Sequence, residues 1–222
     1  MNHGLAEAVE RCARDWHSSP YYDLAEQWDW LNAFWGSRPD RPFKRLFDAL
    51  NLKATVELAV GHGRHASKVV DLAPSLTLMD VVKENIDHCK QRFQGRTNVV
   101  CIQNDGHSFR PLPDASVTAI FCYDAMVHFE FDVVLSYIRD TARVLVSGGR
   151  ALYHHSNLVA YPGADYLDNP GWRNFMSQAL FLHAAQRAGL EVIESVIMDW
   201  DAPQTDCLSL LEKNISSAAG HR

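Results

Sequence analysis

The sequence predicts an α/β fold: a doubly wound, mostly parallel seven-stranded sheet with an antiparallel last strand, behind an N-terminal helical cap. Three observations predict it. From residue 53, short apolar runs alternate with amphipathic helical stretches, the pattern of βα units that build a parallel sheet with helices on both faces. The last two strand-like runs are joined only by Asp201-Ala202-Pro203-Gln204, too short for a crossover, so at least one of them is antiparallel. Residues 1–52 instead carry helical spacing and hold four of the six tryptophans: Trp16, Trp28, Trp30 and Trp35.

Taken in order, the cap opens with a helical stretch interrupted at Ser19-Pro20, and Tyr22 to Phe34 shows apolar residues at near-helical spacing. Arg38-Pro39-Asp40-Arg41-Pro42 marks the next break. Phe43, Leu46, Phe47 and Leu50 then repeat at i, i+3, i+4 and i+7, which predicts an amphipathic helix stopping at Asn51. Thr55–Val60 is the first expected strand and ends at Gly61, with a helical stretch from Arg64 to about Leu72. Leu76–Met79, Val99–Gln103 and Val117–Tyr123 are the second, third and fourth strands, with a helix over Val82–Phe93. Phe131–Val146 is helical on the spacing of Val133, Val134, Tyr137, Ile138, Thr141, Val144 and Leu145, and Ser147-Gly148-Gly149 is expected to cap it through a left-handed glycine. Ala151–His155 is the fifth strand. Residues 157–174, with Pro162, Gly163, Pro170 and Gly171, read as an inserted loop. A helix over Ser177–Ala188 closes at Gly189, and Leu190–Trp200 and Thr205–Glu212 are the final strands. The expected organisation is a cap or lid over 1–52 and one compact unit over 53–222.

Composition narrows the function classes. Of the 222 residues 47% are hydrophobic and 22% charged, which is globular and excludes disorder and collagen-like structure. The formal charge of −6 argues against a nucleic-acid partner, which needs a basic footprint. No apolar window is long enough to span a membrane, and MNHGLAEAVERCARDW has no apolar core of a signal peptide. The five cysteines, Cys12, Cys89, Cys101, Cys122 and Cys207, are scattered without a CxxC pair. They suit buried packing in a reducing compartment. A cytoplasmic location is the expectation. The 11 histidines matter because imidazole is the side chain that titrates near neutral pH and the commonest metal ligand.

The functional signal begins at Glu57-Leu58-Ala59-Val60-Gly61-His62-Gly63-Arg64-His65. A strand runs directly into a glycine turn and then a helix. Glycines at 61 and 63 permit a tight turn and a close ligand approach, and the following helix offers free N–H groups. Acids then stand at the carboxyl ends of the next three strands: Asp80, Asp105 and Asp124. In an open α/β sheet the ligand crevice lies outside those ends. A carboxylate about 20 residues beyond the turn is placed to accept from a ribose diol.

On these residues the chain resembles the class I S-adenosylmethionine-dependent methyltransferases. That family opens with E/D-x-G-x-G-x-G, and Glu57, Ala59, Gly61 and Gly63 stand in its register, with Ala59 replacing the first glycine. The resemblance implies that Gly61 and Gly63 pass beneath the methionine part of the cofactor. Asp80 would hold the ribose, with Val81 beside the adenine, and Asp105 with the Gly106 backbone would meet the adenine amino group. Tyr123 and Asp124 would lie near the methyl group. The resemblance covers roughly residues 53–212 and implies S-adenosyl-L-methionine as cofactor and S-adenosyl-L-homocysteine as product. Two alternatives stand beside it. A nicotinamide-dependent dehydrogenase would use Gly61, Gly63 and Ala66 as G-x-G-x-x-G. A relative of the same fold would bind the cofactor without transferring methyl.

Methyl transfer from a sulfonium needs alignment and water exclusion, and an alcohol acceptor also needs a base. Asp124 and His128 are four residues apart and share a face if the turn is helical. His154 and His155 point to opposite faces of a strand. His128 or His155 is the expected base, with Asp124 orienting a histidine or the substrate. His62 and His65 would line or cover the pocket, while His3, His17, His88, His107, His183 and His221 read as surface or packing. Asp124, His128, His155 and Asn157 match no zinc signature, so no metal ligand is assigned. Tyr161, Trp172 and Arg173 in the inserted loop suit stacking on a ring and holding an acidic group. The expected reaction is O-methylation of a small polar molecule, a sugar or natural-product intermediate. The expected partner is that small-molecule acceptor, with a homodimer left open.

Overall fold

The computed structural model describes residues 4–28, 33–36 and 42–214. Trp30, the break at 38–41, His3 and His221 lie outside them. Seven strands form one sheet: β1 (Thr55–Leu58), β2 (Leu76–Asp80), β3 (Val99–Gln103), β4 (Val117–Cys122), β5 (Leu145–Ser156), β6 (Leu190–Met198) and β7 (Asp206–Lys213). Their order is β3-β2-β1-β4-β5-β7-β6. The first five are mutually parallel, and β7 is inserted antiparallel between β5 and β6. This is the predicted sheet with its antiparallel last strand.

Helices cover both faces because alternate strand residues are apolar on both sides. On one face Leu78, Phe121, Leu152 and Leu208 pack with α3 (Phe43–Phe47), α4 (Ala66–Val69) and α5 (Lys83–Arg92). On the other, Val56, Leu58, Ile120, Ala151 and Tyr153 pack with α6 (Phe131–Val144) and α7 (Gln178–Arg187). The Ser177 hydroxyl caps α7 by accepting from the Leu180 N–H.

Two more helices, α1 (Leu5–Trp16) and α2 (Tyr21–Gln27), lie over the carboxyl ends of the strands. Their rim is pinned by ion pairs of Arg11 with Asp165 and Arg92 with Glu26, and by the Tyr166 hydroxyl donating to Asp15 (2.9 Å). The helix predicted from Tyr22 to Phe34 ends at Gln27, and Ala33–Trp35 form a separate 3-10 turn. Ser147-Gly148-Gly149 do not cap a helix. The strand begins immediately at Leu145, and these residues sit inside it where the register against β4 shifts, Gly148 at φ 73°. A bulge uses the left-handed glycine in place of a cap.

Candidate active site

β1 ends at Leu58, and the chain turns through Ala59 (φ 56°), Gly61 (φ 55°) and Gly63 (φ 83°) before α4. Ala59 takes the left-handed conformation that a glycine adopts freely, so the turn is retained at a cost of about 1–2 kcal/mol. A Cβ on Gly61 would stand 2.8 Å from Tyr22 Cε1 on α2, and one on Gly106 would collide with Val9 on α1. The cap therefore rests directly on the two glycines that border the crevice. Gly63 serves packing instead, since its Cβ would stand 2.8 Å from Phe93 Cε2.

Asp80 is buried at the end of β2 and accepts from the backbone N–H of Gly61 and of Val82, both at 2.9 Å. Burial raises its pKa, against the pull of those two N–H groups. A carboxylate has about four acceptor sites, so these bonds fix its orientation and leave capacity for a diol. Apolar and small groups surround it: Val9, Val81, Val82 and Gly106 line this end of the pocket. The donor set and the glycine cradle fit an adenosine.

The other end is polar. Asp124, at φ 58°, accepts from the Tyr21 hydroxyl and from Arg64 Nη2 (3.3 Å). Its backbone N–H donates to His154 Nδ1 (3.1 Å), so the proton of this imidazole is on Nε2, which donates to Asp206 Oδ2 (2.7 Å). Arg173 grips the same carboxylate through Nε (2.8 Å) and Nη2 (2.6 Å). Burial pushes Asp206 upward, but its partners His154 and Arg173 outweigh that and hold it well below the usual carboxylate range. The next carbonyl along, that of Trp172, accepts from His128 Nδ1 (2.7 Å). A carbonyl cannot donate, so Nδ1 carries the proton and Nε2 keeps its lone pair. His128 lines the pocket with the Trp16 ring tilted against it at 4.7 Å. Burial, with Arg173 adding to it, lowers its pKa to about 4. The imidazole is neutral at pH 7.

Of the residues singled out from sequence, Ala59, Gly61, Asp80, Val81, Gly106, Tyr123, Asp124 and His128 line this one pocket. The others are corrected. His155 faces the opposite side of the sheet, stacked on Phe181 at 3.7 Å and bonded to Ser209 Oγ (2.9 Å), so it is no candidate base. Asp124 does not orient a histidine with its carboxylate; only its backbone N–H meets His154. Asp105 turns back to accept from the N–H and hydroxyl of Ser108 (2.7 and 2.6 Å), and Asn104 lines the pocket in its stead. Glu57 is buried behind the turn, outside the pocket lining, its pKa raised well above the usual value by burial. Arg173 is locked to Asp206, Tyr161 is exposed, and Trp172 contributes its carbonyl while its ring packs at the rim against Trp16 (5.6 Å).

Sequence reasoning missed Trp16, Tyr21 and Tyr22, which line the pocket from the cap, and Arg64 and His154. The aromatic cluster flanking Pro20 was the available signal for the first three. Among the described residues no group of three or more His, Cys, Asp or Glu is arranged to hold a metal, and no helix is long and apolar enough to cross a membrane.

A family model described as "Methyltransferase domain" matches residues 56–153. No curated protein matches the chain in sequence. Among solved structures, geranyl diphosphate C-methyltransferase from Streptomyces coelicolor A3(2), in complex with Mg2+, geranyl-S-thiolodiphosphate and S-adenosyl-L-homocysteine, is similar over 93% of this chain and 98% of its own. The TM-score is 0.71 at 13% identity. An S-adenosylmethionine-dependent methyltransferase from Mesorhizobium loti is similar over 77% of this chain and 97% of its own, with TM-score 0.61 and 15% identity. The [4+2]-cyclase SpnF is similar over 80% and 82%, with TM-score 0.66 and 15% identity.

Proposed function

We propose that the chain, whose residues 56–153 match a methyltransferase-domain model, is a class I S-adenosylmethionine-dependent methyltransferase that moves the cofactor's methyl group to a hydroxyl of a small polar molecule, a sugar or natural-product intermediate. The observation that carries this reading is His128: a neutral imidazole with its Nδ1 proton tied to a carbonyl and its Nε2 lone pair available in the same pocket as Asp80. The bound cofactor supplies an activated methyl on a sulfonium, whose departure leaves a neutral thioether.

The chain's own residues bind, align and deprotonate. Asp80 takes the ribose hydroxyls, with Gly61, Val81 and Gly106 along the nucleoside. His128 Nε2 removes the acceptor's proton as its oxygen bonds to the methyl carbon, which can add roughly 10²–10⁴-fold to the rate. Asp124, paired with Arg64, would face the positive centre. The cap completes the site: Val9 and Tyr22 lie on Gly106 and Gly61, so α1 and α2 lift for loading and close to exclude water. Alignment of acceptor and methyl in this closed site can supply ~7–11 kcal/mol.

The test is transfer of a labelled methyl from the cofactor to a panel of hydroxyl, amine and carbon acceptors. The reading expects hydroxyl products, and a rate lowered by at least a hundredfold in His128→Ala with cofactor affinity kept. Tight cofactor binding with no transfer to any acceptor would reassign the protein as a binder, transfer only to amine or carbon would overturn the hydroxyl reading, and an unchanged rate in His128→Ala would remove the base.

A further inference from the structure

Two hydrogen-bond donors in the pocket wall have no acceptor. Arg64 gives Nη2 to Asp124, while its Nη1 is buried with no partner among the described residues. His65 accepts the Trp35 indole N–H at Nδ1 (3.0 Å), which places its own proton on Nε2, and that atom too is buried without a partner. His65 is only 6% exposed. Both residues line the pocket. A buried donor left unpaired carries its full desolvation penalty, larger when it is charged. Two of them on consecutive residues, beside the polar end of a ligand pocket, ask for an acceptor that the described residues do not supply. Glu57 is buried behind the turn with its own Oε2 unpartnered, so it bonds neither donor through that oxygen, and burial raises its pKa well above the usual carboxylate value.

We infer that Arg64 and His65 form a carboxylate-binding subsite, resting on the methyltransferase reading above. One guanidinium edge and one neutral N–H offer two donors to two oxygens, the complement of a planar monoanion. Asp124 beside them disfavours a dianion such as phosphate. Access comes with cap movement, since Tyr21 on α2 shares the Asp124 Oδ2 with Arg64. The carboxylate belongs either to the amino-acid part of the cofactor or to the acceptor.

Calorimetry with the whole chain separates these sources without a known acceptor. Wild type, Arg64→Met, Arg64→Lys and His65→Phe are titrated with S-adenosylhomocysteine and with methylthioadenosine, which lacks the amino-acid part. Benzoate is then titrated into each protein loaded with S-adenosylhomocysteine. If the carboxylate is the cofactor's, Arg64→Met weakens S-adenosylhomocysteine at least tenfold and methylthioadenosine less than twofold, with Arg64→Lys and His65→Phe intermediate. If it is the acceptor's, S-adenosylhomocysteine is unaffected and benzoate binds the loaded wild type but not Arg64→Met. The subsite is overturned if neither ligand responds to Arg64→Met or Arg64→Lys, or if methylthioadenosine weakens as much as S-adenosylhomocysteine. Wild type that binds no S-adenosylhomocysteine would instead overturn the cofactor reading. Thermal melting of each unliganded variant identifies any that fails to fold, in which case Arg64→Lys carries the comparison.

Discussion

Replacing Asp206 by Asn probes the polar chain beneath the site. Asp206 is fully buried and accepts from Arg173 twice and from His154 once. Removing its charge leaves the Arg173 guanidinium, itself 2% exposed, without the carboxylate it is bonded to. Breaking one partner of a buried pair costs about 3–5 kcal/mol. At about 2–4 °C per kcal/mol for a chain of this size, Asp206→Asn is expected to lower the melting temperature by about 6–20 °C. Thermal unfolding followed by circular dichroism measures it. The double variant Asp206→Asn/Arg173→Met removes the stranded charge and should recover at least half of the loss. Because Asp206 is held below its unfolded value of about 3.9, its contribution is whole above that pH and is lost only as the pH falls through the lower folded value. A single-variant loss under about 2 °C, or a double variant no more stable than the single, would show that Asp206 does not hold a buried charge in place.

Two further outcomes follow from the same geometry. Gly61→Ala adds a Cβ 2.8 Å from Tyr22 at φ 55°, so it should destabilise by about 1–2 kcal/mol from backbone strain alone and weaken cofactor binding; Tyr22→Ala should relieve the clash without the strain, measured by urea unfolding of the single and double variants. His128 has its folded pKa lowered to about 4 by burial and by Arg173, against about 6.5 unfolded. The unfolded chain therefore binds more protons between these values, so stability is full above pH 6.5 and falls toward pH 4 by about 3 kcal/mol. Burial likewise lowers His155 to about 3, extending the loss, and His128→Gln should flatten the upper part of a melting-temperature profile against pH.

The parts of the site legible in sequence are those that local chain geometry decides. Gly61 sits where a strand must turn into a helix, and Asp80 follows at the end of the next parallel strand, so no distant partner is needed to place either. His128 was also reachable, four residues beyond Asp124. The misplaced residues are those settled by partners far along the chain. Strand alternation separates His154 from His155, but only β7, more than 50 residues away, decides that one meets Asp206 and the other Ser209. Arg173 carries the chemistry of an acid-binding hand, and Asp206, 33 residues on, takes it out of the pocket. Asp105 had a nearer warning: Ser108 three residues later is the spacing of a side chain that caps its own turn. The glycines at 148 and 149 suit either a helix cap or a bulge, and pairing with β4 chose the bulge.

A strand-end pocket that holds an adenosyl cofactor with Asp80 on its ribose is tested by calorimetry of S-adenosylhomocysteine on wild type and Asp80→Asn. A hydrogen bond to a charged group is worth about 1.5–3 kcal/mol, so binding at one site per chain, weakened roughly tenfold or more in Asp80→Asn, is the expected result. Equal affinity in the two proteins, or binding of NAD in place of S-adenosylhomocysteine, would contradict it.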